Sequence, residues 1–237
     1  MRESWDEMAR SHQGFHDPPG SLPDRVHGLL RRRVIRWAQG LPRGARFLDV
    51  GCGRGSLAIG LARLRPDLEV LGMDLSQGML DLAAAAAPEP RNPTWLRCEA
   101  GRWPLADQSV DAAVVMDLLA NLDLSADITP LLQEARRVCR RWLLLEIKTP
   151  WVLGLLLRLR RRGSAAARAT EFGLGRSYAG DGIAVHVHDP AALLPKGGAV
   201  PALAPWPLLP APSRIYVLDL QAPGLLERLP AVWRIPA

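Results

Sequence analysis

Phe47-Leu48-Asp49-Val50-Gly51-Cys52-Gly53-Arg54-Gly55 decides how this chain is read. An apolar run containing one acid passes into alternate glycines. Ser56–Leu64 follows, with Leu57, Leu61 and Leu64 at helical spacing. The order is strand, loop, helix. Glycine in the loop admits positive φ and lets a ligand approach where a Cβ would block it. The free amides and positive dipole end of the following helix suit a carboxylate or phosphate.

The same alternation continues on the C-terminal side. Strands are expected over residues 45–50, 69–73, 94–98, 110–116 and 142–147, and helices over 56–64, 77–87 and 128–139. This predicts an α/β fold: a Rossmann-like, doubly wound, seven-stranded, mostly parallel sheet with helices on both faces. Residues 182–188 and 214–220 read as strands six and seven, forming an antiparallel edge. Before the loop, Leu22, Val26, Leu29, Leu30, Val34, Ile35 and Ala38 define a helix that Gly40 ends. Residues 151–167 read as an amphipathic helix, with Leu153, Leu156, Leu157 and Leu159 against an arginine run. Residues 190–212 are interrupted repeatedly by proline and should be mostly loop. The organisation expected is an N-terminal helical lid (1–40), a ligand-binding core (41–150), a helical insertion on the acceptor side (151–180) and C-terminal strands completing the sheet (181–237).

Bulk properties narrow the classes. An apolar fraction of 48% supplies a sizeable core and excludes disorder as the general state. The net charge is +6, yet the basic residues are spread along the chain without interleaved aromatics. That argues against nucleic acid as the partner. No segment reaches the roughly 18 apolar residues of a membrane span. The first residues carry acids and no apolar stretch, so no secretory signal is read. Cys52, Cys98 and Cys139 lack metal-type or disulfide spacing, which points to a reducing cytoplasm.

Asp74 ends the second strand, where Rossmann-like sites place an acid that accepts ribose hydroxyls. The glycine spacing differs from the dinucleotide Gly-x-Gly-x-x-Gly. Asp49 in front of it would repel a pyrophosphate and attract the ammonium and sulfonium of S-adenosylmethionine (SAM). A nicotinamide dehydrogenase is disfavoured on the same ground.

With these residues in view, the chain resembles the class I SAM-dependent methyltransferases over about residues 40–150. The likeness is to the small-molecule branch related to the ubiquinone and menaquinone enzymes. The resemblance implies that Asp49, Gly51, Cys52, Gly53 and Gly55 form the SAM loop. Asp74, Leu75 and Met79, within Gly72-Met73-Asp74-Leu75-Ser76 and Met79-Leu80, would hold ribose and adenine. Cys98-Glu99-Ala100, Trp103-Pro104-Leu105 and Asp107-Gln108-Ser109-Val110-Asp111 match further family patterns, with Glu99 and the Ala100 backbone at the adenine edge. Met116 and Asp117, in Val115-Met116-Asp117-Leu118-Leu119, would lie beneath the methionine part. Trp5-Asp6 resembles the opening of a lid helix. The product would be S-adenosylhomocysteine. A departure stands at 138–142, where Val-Cys-Arg-Arg-Trp replaces the Pro-Gly-Gly usual in relatives.

SAM carries its own reactive methyl group, so a protein base is needed only if the acceptor must lose a proton. No fixed catalytic residue is therefore legible. The candidates are Asp117 at the end of strand four, Asn121 one turn on, and Tyr178 and His186 on the acceptor side. His188 shares a strand face with His186, but no third ligand has suitable spacing and no metal is expected. His12 and His16 lie in the lid segment. The function this implies is methyl transfer to O, N or C of a small-molecule acceptor. The acceptor is hydrophobic if the leucine face of 151–167 lines its pocket, although ordinary packing also accounts for that face. The alternative is a SAM-binding member without catalysis. A nucleic-acid methyltransferase is less favoured, because Asp117-Leu118-Leu119-Ala120 stands where base-amine enzymes carry Asn/Asp-Pro-Pro-Tyr/Phe. Monomer and homodimer both remain open.

Overall fold

The computed structural model describes residues 6, 22–87, 93–122, 128–148, 176–180, 183–187, 190–197, 200–203 and 213–233. Trp5, His12, His16, His188 and the 151–167 segment lie outside them.

Helix α1 spans Leu22–Ala38. Val26, Leu30, Val34 and Ala38 recur every fourth residue and are at most 2% exposed, while Arg25, Arg32 and Arg36 face solvent. The units that follow are β1 (Arg46–Val50), α2 (Ser56–Leu64), β2 (Glu69–Asp74), α3 (Gln77–Ala86) and β3 (Thr94–Arg97). Then come β4 (Val110–Val115), a 3-10 turn (Leu119–Asn121), α4 (Thr129–Val138) and β5 (Cys139–Lys148). Helix α4 passes into β5 with no residue between them, the structural result of the missing Pro-Gly-Gly.

β1 pairs in parallel with β2 and β4, β2 with β3, and β4 with β5. Strand β9 (Ser213–Asp219) runs antiparallel to β5, and β8 (Ala202–Leu203) lies outside β9. The sheet has seven strands in the order β3-β2-β1-β4-β5-β9-β8. Side chains alternate between its faces. Leu48, Val50, Met73, Val115, Leu143 and Leu145 pack in one core with α4 and Trp233, whereas Phe47, Val70, Val114 and Leu144 pack in the other with α1 and α2. The order reverses between β1 and β4. That reversal opens a crevice at the carboxyl ends of the strands, where open α/β sheets bind ligands.

Two expectations are corrected. Ile183–Val187 (β7) is not in the main sheet. It pairs antiparallel with Arg176–Gly180 (β6) as a separate hairpin. The outer edge comes instead from β8, inside the stretch expected to be loop. Its neighbour Pro201 lacks an amide but accepts from the Val217 N–H at 2.8 Å. An edge strand tolerates proline in that way. The chain also forms short helices α5 (Pro190–Leu193) and α6 (Leu225–Arg228). The Trp233 indole N–H donates to Leu193 O at 2.8 Å and ties the C-terminal part to α5.

Candidate active site

The loop after β1 bends as its glycines require: Gly51, Gly53 and Gly55 have φ of +69°, +51° and +71°. The Gly51 and Cys52 amides donate to Met73 O at 2.8 and 3.0 Å. The Gly53 amide donates to Asp74 Oδ2 at 2.9 Å, and the Ser76 amide to Asp74 Oδ1 at 2.9 Å. Asp74 thus joins the loops after β1 and β2. Burial raises its pKa, and the Ser76 and Gly53 amides partly oppose this.

Asp49 lies beneath the loop, 3% exposed. Burial raises its pKa to about 7, against a hydrogen bond from the Ala58 amide that lowers it; the charge of Asp74 raises it further. Gly55, the N-cap of α2, has no side chain to cap with, so Asp49 serves the first turn of that helix from below. Burial also pushes the Cys52 thiol up, with Asp49 and Asp74 adding to the effect. A thiol held protonated in this way is a poor nucleophile.

Other residues implied at the cofactor have distinct settings. Met79 is buried, and its amide donates to Ser76 Oγ at 3.2 Å. Leu75 and Ala100 are half-buried, and Glu99 is exposed. The Ala100 carbonyl already accepts from the Trp103 indole at 2.6 Å. Asp6 accepts from Ser76 Oγ and from the Gly78 amide at 3.3 Å.

Across the crevice, the chain beyond β4 turns sharply. Asp117 has φ +57°, a left-handed conformation rare outside glycine and typical of functional turns. Its amide donates to Glu146 Oε2 at 2.7 Å, and its carbonyl accepts from Asn121 Nδ2 at 2.9 Å. Lys148 Nζ lies 2.7 Å from Asp117 Oδ1, 3.3 Å from Glu146 Oε1 and 3.1 Å from His27 Nε2. Burial alone would raise the Asp117 pKa, but the Lys148 and His27 charges outweigh it and hold it low. Desolvation opposes the Lys148 charge, yet Asp117 and Glu146 prevail and raise its pKa.

Asp117 and Asn121 are thus brought together, and β7, which carries His186, packs against their 3-10 turn. Ser177 pairs with His186, and Tyr178 with Val185. His27, Glu146 and Lys148 were absent from the sequence candidates. The available signal was charge at positions 146 and 148 in the otherwise apolar Leu143-Leu144-Leu145-Glu146-Ile147-Lys148.

Residues 47–141 match a family model described as a methyltransferase domain. A 2-phytyl-1,4-naphtoquinone methyltransferase of Synechococcus elongatus is 31% identical over 140 residues, 57% of this chain and 57% of that protein. A demethylmenaquinone methyltransferase of Staphylococcus aureus is 30% identical over 115 residues, 48% of this chain and 46% of that protein. The chain spans about half the length of the curated relatives it matches. Among solved structures, magnesium protoporphyrin IX methyltransferase of Synechocystis with bound S-adenosylhomocysteine has a TM-score of 0.62. Its identity is 18%, covering 92% of this chain and 97% of that one, so the likeness is one of fold. Residues 47–141 are thus similar to a methyltransferase domain, and the sheet around them has the fold of the solved methyltransferase.

Proposed function

We propose that the chain transfers a methyl group from SAM to an O, N or C atom of a small, apolar acceptor. The carrying observation is the crevice at the β1/β4 reversal, with the glycine loop and Asp74 on one side and Asp117 on the other. The residues fit SAM. A Cβ placed on Gly53 would meet no atom within 4 Å, so that turn faces open space. Asp49 and Asp74 lend the loop negative charge, which suits a sulfonium and an ammonium and repels a pyrophosphate. Each Asp74 oxygen engaged by an amide retains a lone pair for a ribose hydroxyl.

When bound, SAM supplies a methyl group already activated by its sulfonium. The chain's part is then to bind, orient and exclude water. Holding the reacting atoms in line at about 3 Å can lower a barrier by roughly 7–11 kcal/mol. Two of the relatives are named for quinone substrates, and an apolar acceptor of that kind is the reading here. Among the described residues no helix is long and apolar enough to cross a membrane. The cytoplasm is the setting we infer, since Cys52, Cys98 and Cys139 stand as free thiols.

Calorimetric titration of SAM and NAD side by side tests the reading. SAM should bind and NAD should not; the reverse result defeats it. A second measurement uses Asp49, whose pKa is about 7 in the fold against an ordinary 3.8. Because the fold holds this proton, stability should fall as pH rises from about 4 to 7, by about 4 kcal/mol, and level off above. Asp49→Asn should flatten that slope. A bound cation favours the ionised form, so SAM affinity should rise from pH 5.5 to 7.5, with a proton released near pH 6.5. Titrations in buffers of different ionisation enthalpy would reveal the proton. Affinity independent of pH over this window would contradict the role given to Asp49.

A further inference from the structure

Lys148 sits where three elements converge. His27 comes from α1, Asp117 from the turn after β4, and Glu146 from β5. Their ligand atoms all lie within 4.8 Å of one another, a spacing that could hold a metal ion. The Lys148 ammonium is placed among them, and its three N–H bonds match three acceptors at 2.7, 3.3 and 3.1 Å. The ammonium stands against two carboxylates, Asp117 and Glu146, so acids outnumber the lysine at this point.

Composition sharpens the point. Of the 30 basic residues, only Lys148 and Lys196 are lysines. An ammonium is a compact point charge with three donors, whereas arginine offers a flat fork. In a chain that otherwise uses arginine, this position holds the side chain that can serve three convergent acceptors.

The ammonium takes one oxygen of Asp117 and leaves the other. Asp117 retains 40% of its side-chain exposure, and Oδ2 has no partner among the described residues. Glu146, held by the same ammonium, accepts the Asp117 amide and so maintains the left-handed turn that aims this carboxylate.

We propose that Lys148 is a built-in cation and positioning residue of the transfer site, and that Asp117 Oδ2 accepts a hydrogen bond from the methyl acceptor. The acceptor this suits is a neutral molecule presenting an O–H or N–H group. A free carboxylate or phosphate would meet the carboxylates of Asp117 and Glu146. The proposal rests on the methyltransferase reading for its assignment of the acceptor side, but the Lys148 geometry is tested without it.

Three measurements decide it. In wild-type chain labelled with 15N-lysine, only two ammonium groups exist, and Lys196 is exposed. One slowly exchanging ammonium signal should persist at neutral pH and vanish in Lys148→Arg; its absence from the wild type overturns the cluster. Adding stoichiometric Co2+ should leave that signal in place. Its displacement, with d–d absorption appearing, would make the cluster a metal centre and overturn the built-in cation. With S-adenosylhomocysteine present, 2-naphthol should bind at least about tenfold more tightly than 2-naphthoate at pH 8. Asp117→Asn should narrow that gap to roughly threefold or less. Equal binding of the two probes, or of neither, overturns the acceptor assignment. If SAM failed to bind the wild type, the proposed function would fall while the ammonium and Co2+ results still judged Lys148.

Discussion

Gly55→Ala is expected to cost about 3 kcal/mol of folding stability, whereas Gly53→Ala costs about 1 kcal/mol and stays folded. Both positions have positive φ, +71° and +51°, so both pay the left-handed strain of a Cβ. They differ in what that Cβ would meet. At Gly55 it would lie 2.4 Å from Trp95 Cη2 and 3.0 Å from Ala83 Cβ. At Gly53 it would meet nothing within 4 Å. The Trp95 indole fills a notch between Gly55 and Gly72, where a Cβ would stand 2.5 Å from the same ring. Neither backbone nor indole can give way cheaply in a close-packed interior. Gly53 faces the crevice instead, so its alanine variant should lose SAM affinity by about tenfold while melting near wild type. Urea unfolding and SAM calorimetry on both variants check the pair. Equal midpoints would show that Trp95 does not fill the notch as described.

The contrast shows what a sequence can and cannot display. Three alternate glycines after an apolar strand announce a ligand loop, and the acids at 49 and 74 indicate which ligand. Both lie within one strand–loop–helix unit and its neighbour, so local pattern reveals them. The partner of Gly55 is Trp95, forty residues further on, and nothing in the spacing of either betrays the other. The Lys148 cluster was hidden for a related reason. Its members come from α1, the β4 turn and β5, and the strand expected over 142–147 stops one residue before Lys148. The strand expected over 182–188 forms at Ile183–Val187, but period-two patterning does not name the strand it pairs with. Repeated prolines hid β8, which is only two residues long.

Asp74→Asn is expected to weaken SAM binding by roughly 100-fold, about 3 kcal/mol, while leaving the fold intact. Asp74 Oδ2 accepts from Gly53 and Oδ1 from Ser76, each at 2.9 Å. Asparagine keeps the shape but can accept at one arm only. Its NH2 would face an amide donor, so one loop is released or the side chain turns away. It also removes the charge that makes hydrogen bonds from ribose hydroxyls strong. Stability should change little, for burial already disfavours the ionised Asp74 and a neutral side chain avoids that cost. Asp6→Asn is the matching control. It weakens the contacts of residue 6 with Ser76 and the Gly78 amide without touching the Asp74 bridge. It should speed SAM dissociation with a smaller loss of affinity. Stopped-flow dissociation and calorimetry separate the two variants. Binding by folded Asp74→Asn within threefold of wild type would remove Asp74 from the cofactor site, and the choice of SAM over a dinucleotide would then rest on Asp49 and the glycine spacing.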